Sequence, residues 1–341
     1  METPLATTPD STDSSPSAAA AAASPPAGAA TVVRVGPLMP QLERGLIDEF
    51  DAPVISADAS ELTEATQREL AQVRVAVTSG RYGVSEALME KLPALEAIVH
   101  FGVGYDTTDT AAARARGIAV SNTPDVLNDC VADTAVALLL DTYRRFSASD
   151  RFVRAGEWPS GNYPLTTRFT GTRVGVVGLG RIGSAIAKRL TGFDCPISYH
   201  NRREVPGSPF RHVDSLLELA RSSDALVVAA AGGPDSQQLI SAEVLEALGP
   251  DGVLVNISRG SVVDEAALIA ALDGGVIKAA GLDVFADEPN VPEALIALDN
   301  VVLFPHLASG TRETRDDMRQ LVVDNVRSWL ADGALVTPVR F

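Results

Sequence analysis

An α/β fold of two doubly wound parallel-sheet domains, with an active-site cleft between them, is what this sequence predicts. Three observations carry that expectation. Short runs of β-branched and apolar residues alternate with helical stretches in both halves of the chain, the pattern that βαβ units leave. One of these runs, Val174–Val177, passes into glycines at 178, 180 and 183 and then into a helix over Ser184–Leu190. Three later strands end in loops rich in polar and charged side chains, where open α/β sheets collect ligands.

The 341 residues have room for about two domains, and a hydrophobic content of 46% supplies cores for both. A net charge of −16 repels phosphate backbones, so nucleic acid is not an expected partner. Cys130 and Cys195 are too few for a disulfide framework and fit a reducing cytoplasm. They stand at no metal-ligand spacing, the histidines are scattered, and no metal is expected. No run of roughly 18 apolar residues occurs, so no membrane span is expected. Residues 1–30 are mostly Ala, Pro, Ser and Thr, with Glu2, Asp10 and Asp13 and no base. They lack the basic start of a secretory signal and the arginines of a transit peptide, and are expected to be a disordered tail.

The elements follow in order. In a first domain, residues 31–124, strands are expected at Val32–Val35, Pro53–Ile55, Val75–Thr78, Ala97–His100 and Ile118–Val120. Helices are expected at Leu42–Phe50, Leu62–Val73, Val84–Lys91 and Thr110–Arg116. A long helix starts at Pro124 and Asp125 and runs to about Arg145. Its centre, Val131–Leu140, is apolar nearly all round, which buries a helix on every side. Such a helix either crosses between domains and helps form a homodimer interface, or is a core helix. The second domain, residues 125–306, has further strands at Pro196–His200, Ala225–Ala230, Gly252–Ile257, Ile277–Leu282 and Val301–Phe304. Helices are expected over Val213–Ala220, to Leu248 from a Ser241 cap, and to Leu272 from an Asp264 cap. A last helix, Gly310–Leu330, returns to the first domain, which residues 307–341 complete.

In the turn Gly178-Leu179-Gly180-Arg181-Ile182-Gly183 each glycine has its own task. The first permits the sharp turn, the second lets a pyrophosphate approach the backbone, and the third lets the helix pack closely. The helix start offers free N–H groups and a partial positive charge. This is a Rossmann-like dinucleotide site. Arg181 either touches the pyrophosphate or is solvated. An NAD site carries an acid at the tip of its second strand to hold the ribose 2′-hydroxyl. Here the tip reads Tyr199-His200-Asn201-Arg202-Arg203, and Glu204 comes only after both arginines. Two guanidiniums hold a 2′-phosphate through charge-assisted bonds, so NADPH is expected over NADH.

The three later strand ends read Asn256-Ile257-Ser258-Arg259-Gly260, then Gly281-Leu282-Asp283-Val284-Phe285 running on to Asp287-Glu288-Pro289, then Phe304-Pro305-His306-Leu307-Ala308-Ser309-Gly310. Reducing a 2-keto acid needs a cation for its carboxylate, an acid for the developing alkoxide, and a hydride donor. Arg259 supplies a planar fork for the carboxylate. His306 can give a proton near neutral pH, and Glu288 can hydrogen-bond the far ring nitrogen and fix its orientation.

Together with the glycine turn, these stretches resemble the D-isomer-specific 2-hydroxyacid dehydrogenases from about Val32 to the C-terminus. Within that family the chain looks most like the glyoxylate/hydroxypyruvate and hydroxyphenylpyruvate reductases. The resemblance implies a catalytic triad of Arg259, Glu288 and His306. It assigns Asp283 to the nicotinamide carboxamide and sets Ile257 among the cofactor contacts. It gives the substrate carboxylate to the backbone around Val103 and Gly104, with Ser79 and Gly80 nearby. Arg81 and Tyr82 are larger and more polar than a purely aromatic-substrate pocket suggests, so glyoxylate, hydroxypyruvate and sugar-derived 2-keto acids come ahead of hydroxyphenylpyruvate. His100 reads as structural, and His200 and His212 as surface or cofactor-rim residues. Two other functions share the fold: a non-catalytic NAD(P)-sensing scaffold or corepressor, and NAD-dependent oxidation as in a phosphoglycerate dehydrogenase. The intact triad argues against the first and the paired arginines against the second.

Overall fold

The computed structural model describes residues 30–340; the tail expected over residues 1–30 lies outside them except for Ala30. Strands β1 (Val32–Val35), β2 (Val54–Ile55), β3 (Val75–Ser79), β4 (Ala97–Phe101) and β5 (Ala119–Ser121) form a parallel sheet in the order β2-β1-β3-β4-β5. Val75, Ala76 and Val77 of β3 are fully buried, as a sheet covered on both faces requires. Helices α1 (Pro40–Phe50), α2 (Glu64–Glu69), α3 (Glu86–Lys91) and α4 (Thr110–Ala115) connect the strands. The side chains of Thr63, Ser85 and Asp109 accept the orphan N–H groups that open α2, α3 and α4.

A second parallel sheet holds β6 (Val174–Val177), β7 (Ile197–His200), β8 (Arg211–His212), β9 (Ala225–Val228), β10 (Val253–Asn256), β11 (Ala279–Leu282) and β12 (Val301–Leu303). Its order is β12-β11-β10-β9-β6-β7-β8. The order reverses between β9 and β6, and a crevice opens at such a switch point beyond the strands' carboxyl ends. Helices α5 (Asn128–Arg144), α6 (Phe146–Arg154), α7 (Arg181–Leu190), α8 (Leu216–Arg221), α9 (Ala242–Leu248), α10 (Glu265–Asp273), α11 (Glu293–Ile296) and α12 (Arg312–Asp332) complete the chain.

Several expectations need correction. The two-residue β8, the single-turn α11 and the helix α6 are absent from the sequence reading; the first two are too short to carry a period. Val213 continues the sheet edge, its N–H bonding the Tyr199 carbonyl at 2.8 Å, and α8 starts only after Ser215. Ser241 stands at the α9 N-cap but its hydroxyl makes no capping bond, whereas Asp264 caps α10 through the Ala267 N–H at 3.0 Å. Helix α2 stops at Glu69, short of the expected Val73. Helix α5 begins at Asn128 because Asp125 is left-handed, with φ 70°.

Nor is α5 buried on every side. Asp129 and Asp133 form an exposed stripe that pairs with Arg189 of α7 at 2.9 and 2.5 Å. Its apolar face lies on the second sheet. A Cβ at Gly281 of β11 would stand 2.9 Å from Thr142 Oγ1 and 3.3 Å from Leu138, so only glycine admits the helix this closely. Helix α12 packs on β4 and α1, burying Met318, Val322 and Val326. Val339 then bonds the Val120 carbonyl at 2.7 Å beside the first sheet. One hydrophobic cluster runs through Val99, Val322, Leu138 and Val176, so the two sheets share a core that sets their strand-end loops against each other.

Candidate active site

The glycine turn leaves β6 at the switch point. Gly178 has φ +97°, and a Cβ there would meet the Ala230 backbone at 2.7 Å. Gly183 tolerates no side chain either, because its Cβ would stand 2.1 Å from the Gly178 carbonyl oxygen. At Gly180 a Cβ would meet nothing within 4 Å. The middle glycine therefore faces open space, and α7 begins there with no side chain capping its N–H groups. That gap and the uncapped N–H groups could hold an anion such as a pyrophosphate. Asn201 reaches back from the tip of β7, its Oδ1 accepting the Leu179 N–H at 2.6 Å, and so braces the turn. Ile182 packs against the core below. Arg181 pairs with Asp125 at 3.1 Å across the mouth of the crevice.

Arg202 and Arg203 are both exposed beside this crevice. Arg202 pairs with Asp235 at 2.8 Å, and Arg203 has no ion-pair partner among the described residues. His212 Nε2 meets the Asn201 carbonyl at 3.1 Å and His200 Nδ1 the Val213 carbonyl at 2.9 Å, so both histidines brace the rim.

At the end of β10, Asn256 folds the chain back on itself. Its Nδ2 donates to the Arg259 carbonyl at 2.9 Å while its Oδ1 accepts from the Ser258 N–H at 3.0 Å. The turn buries Ile257 and drives the Arg259 side chain toward the first sheet. The guanidinium occupies the room that Gly104 leaves: a Cβ there would lie 1.5 Å from Nη2, and one at Gly80 would lie 3.3 Å from it. The loops after β3 and β4 thus meet Arg259 from the other side of the cleft. Ser79 Oγ turns to the Arg81 N–H at 3.4 Å, and the Val103 carbonyl accepts from Asn122 at 2.8 Å. The Tyr82 ring lies against Gly36, and Arg81 is exposed above that ring.

Gly260 packs on the loop after β11, where a Cβ would stand 1.9 Å from the Phe285 carbonyl carbon. In that loop Glu288 Oε1 accepts the Phe285 N–H at 3.1 Å, and Oε2 meets His306 Nδ1 at 2.6 Å. Burial pushes the Glu288 pKa up. The bond to His306 and its charge, the Phe285 N–H and the Arg259 charge outweigh this and hold it below the usual value. Glu288 is therefore an anion that accepts from Nδ1, leaving Nε2 of the half-exposed ring with no protein partner among the described residues.

His306 sits in the left-handed region at φ 51°, which costs a non-glycine residue about 1 kcal/mol. The fully buried Asp283 holds this turn, its two oxygens accepting the Leu307 and Ala308 N–H groups at 2.7 and 3.0 Å. Burial is the largest influence on its carboxyl and raises the pKa. Two residues at the site lack any signal in the sequence. Asp106 accepts from Arg259 Nε at 3.2 Å, and Asp235 engages Arg202. Both pairings join distant segments. His100, read as structural, is fully buried and bonds Thr108 through Nε2 at 2.8 Å.

Residues 136–308 match the family model described as D-isomer specific 2-hydroxyacid dehydrogenase, NAD binding domain. A hydroxyphenylpyruvate reductase of Plectranthus scutellarioides is 48% identical over 78% of this chain and 85% of its own length. A glyoxylate/hydroxypyruvate reductase of Arabidopsis thaliana is 43% identical over 90% of this chain and 98% of its own. Among solved structures, an NADPH-dependent glyoxylate/hydroxypyruvate reductase from Sinorhizobium meliloti in complex with NADP and malonate superposes with a TM-score of 0.85. It shares 43% identity, covering 91% of this chain and 97% of that one. The chain belongs to the D-isomer-specific 2-hydroxyacid dehydrogenase family and is an oxidoreductase.

Proposed function

We propose that this protein reduces a small 2-keto acid of the glyoxylate or hydroxypyruvate type to the D-2-hydroxy acid with NADPH. The observation that carries this reading is the 2.6 Å Glu288–His306 bond, in a loop cluster that also brings Arg259 against Gly80 and Gly104. The turn at 178–183 holds the cofactor pyrophosphate, with Leu179 and Ile182 in the same turn. Arg202 and Arg203 hold the 2′-phosphate and Ile257 lines the nicotinamide end, while Asp283, fully buried with both oxygens engaged by the Leu307 and Ala308 N–H groups, supports the His306 turn from behind and does not reach the carboxamide. Held there, NADPH would supply the hydride that reduces the keto carbon.

The chain's own groups do the rest. Arg259 binds the substrate carboxylate together with backbone of Gly80, Val103 and Gly104, with Ser79 beside them. The same guanidinium polarises the ketone. His306 Nε2 donates the proton to the developing alkoxide, and Glu288 stabilises the ring's charge before transfer. Closure of the two sheets' loops over the cleft excludes water. In this reading residues 31–124 and 307–341 form the substrate domain and residues 125–306 the dinucleotide-binding domain. The protein acts in the cytoplasm as a homodimer, for which the exposed Phe146, Val153, Trp158 and Leu165 supply an apolar surface. Light scattering on purified protein checks the dimer, and a monomeric mass rejects it.

NADPH oxidation assayed with glyoxylate, hydroxypyruvate, 2-ketogluconate and hydroxyphenylpyruvate side by side tests the substrate class. Turnover strongest with the small or sugar-derived acids is expected. No turnover with any of the four would refute the reading.

A further inference from the structure

Asp106 lies in the loop that follows β4, on the opposite side of the cleft from the β10 end that carries Arg259. Its side chain is 18% exposed, and its Oδ1 accepts from Arg259 Nε at 3.2 Å. Around this pair two glycines leave the room. A Cβ at Gly104 would stand 2.9 Å from Asp106 Oδ1, and one at Gly232 would stand 2.8 Å from Arg259 Cγ and 3.0 Å from Asp106 Oδ2. The guanidinium's second bond is internal, from Nη1 to the Ser258 carbonyl at 2.8 Å. With Nε and Nη1 engaged, Nη2 is the one nitrogen with no protein acceptor among the described residues, and it lies against Gly80 and Gly104.

A carboxylate beside an anion-binding arginine cancels part of its charge, so the value of Asp106 to the site is directional. We propose that Asp106 is a positioning residue for Arg259. Reaching across the cleft, it pins Nε and turns Nη2 toward the loops after β3 and β4, where a carboxylate or keto oxygen would be met. Asp106 itself touches no substrate. Its effect therefore passes entirely through the guanidinium and exists only when the two sides of the cleft approach.

The inference rests on the role given to Arg259 above, and the test separates the two. The wild type, Asp106→Asn, Arg259→Lys and the double variant are compared for kcat and KM with hydroxypyruvate, and for NADPH affinity by fluorescence titration. Asp106→Asn keeps the shape and removes the charge. It is expected to raise KM by about tenfold or more and to lower kcat, with NADPH affinity within about twofold. Asp106→Glu, which retains a carboxylate, is expected to recover part of the loss. In the Arg259→Lys background the Asp106→Asn change is expected to alter kcat/KM by less than about twofold, because the partner it acts through is already gone. Collapse of Arg259→Lys alongside wild-type kinetics in Asp106→Asn overturns the proposal alone. So does a full Asp106→Asn loss in the double variant. Wild-type activity in Arg259→Lys removes the reading of Arg259 and this inference with it.

Discussion

Arg259 enters the cleft with two of its nitrogens committed, Nε to Asp106 and Nη1 to the Ser258 carbonyl. A lysine offers three donors on a flexible stem and cannot reproduce that fixed fork. Arg259→Lys is therefore expected to lower kcat/KM by about 10²-fold or more with NADPH affinity little changed, and steady-state assays with hydroxypyruvate check this. Near-normal efficiency in that variant would remove the arginine from the chemistry. At the other end of the crevice, replacing Arg202 and Arg203 with alanine is expected to raise KM for NADPH by about 30-fold or more while NADH shifts by less than about threefold. Equal losses with both cofactors would show that the pair does not select the 2′-phosphate. These side chains are legible in the sequence because their residue types are scarce and fall at strand ends. Asp106 and Asp235 are not legible. An acid in a loop acquires meaning only when its partner, 153 residues away for Asp106 and 33 for Asp235, is brought beside it.

The glycine turn is the element whose geometry was most fully legible. Each of its three glycines meets a different physical demand: left-handed backbone at Gly178, open approach at Gly180, and a close carbonyl at Gly183. Gly183→Ala would push a methyl to within 2.1 Å of the Gly178 oxygen, so the turn must open. The expected outcome is a stability loss of about 1–3 kcal/mol in denaturant melts together with weakened NADPH binding. Wild-type binding by that variant would mean that the turn does not shape the cofactor site. Strands with β-branched runs and the Asp264-capped helix could be read because local chemistry decides them, whereas Ser215, the actual cap of α8, falls inside the helix expected over Val213–Ala220 and Ser241 makes no capping bond. β8 has only two members and leaves no hydrophobic period to read, whereas α6 is amphipathic but buries none of its residues, so it packs into no core. Helix α5 misled for the opposite reason. Its alanines and leucines suggested burial all round, yet the salt links of Asp129 and Asp133 to Arg189 hold one edge in solvent.

Across the whole molecule, the first sheet carries a buried histidine directly beneath the cleft. His100 has an unpartnered Nδ1, and its burial, with the Arg259 charge adding and the Asp106 charge opposing, holds its pKa down at about 4. Unfolded, the same ring titrates near 6.5. Between those values the unfolded chain binds the extra proton and the folded chain does not, so stability falls as pH drops from about 6.5 toward 4 and levels off below. The slope from this residue alone approaches about 1.4 kcal/mol per pH unit. Urea melts at pH 7 and pH 5 are expected to show the wild type losing about 2 kcal/mol more than His100→Gln over that interval. Parallel losses in the two proteins would mean that His100 is not the group that stays neutral in the fold.

The proposed chemistry turns on His306 as proton donor in a cleft shared by both sheets, held in its left-handed turn by Asp283 and oriented by Glu288. His306→Asn preserves a residue type that tolerates that backbone while removing the ionisable ring. Single-turnover NADPH oxidation, followed optically after mixing enzyme preloaded with NADPH against hydroxypyruvate, isolates the chemical step. If His306 is the donor, the rate falls about 10²- to 10⁴-fold below wild type with NADPH affinity within about threefold. A rate within about threefold of wild type at saturating hydroxypyruvate would contradict it.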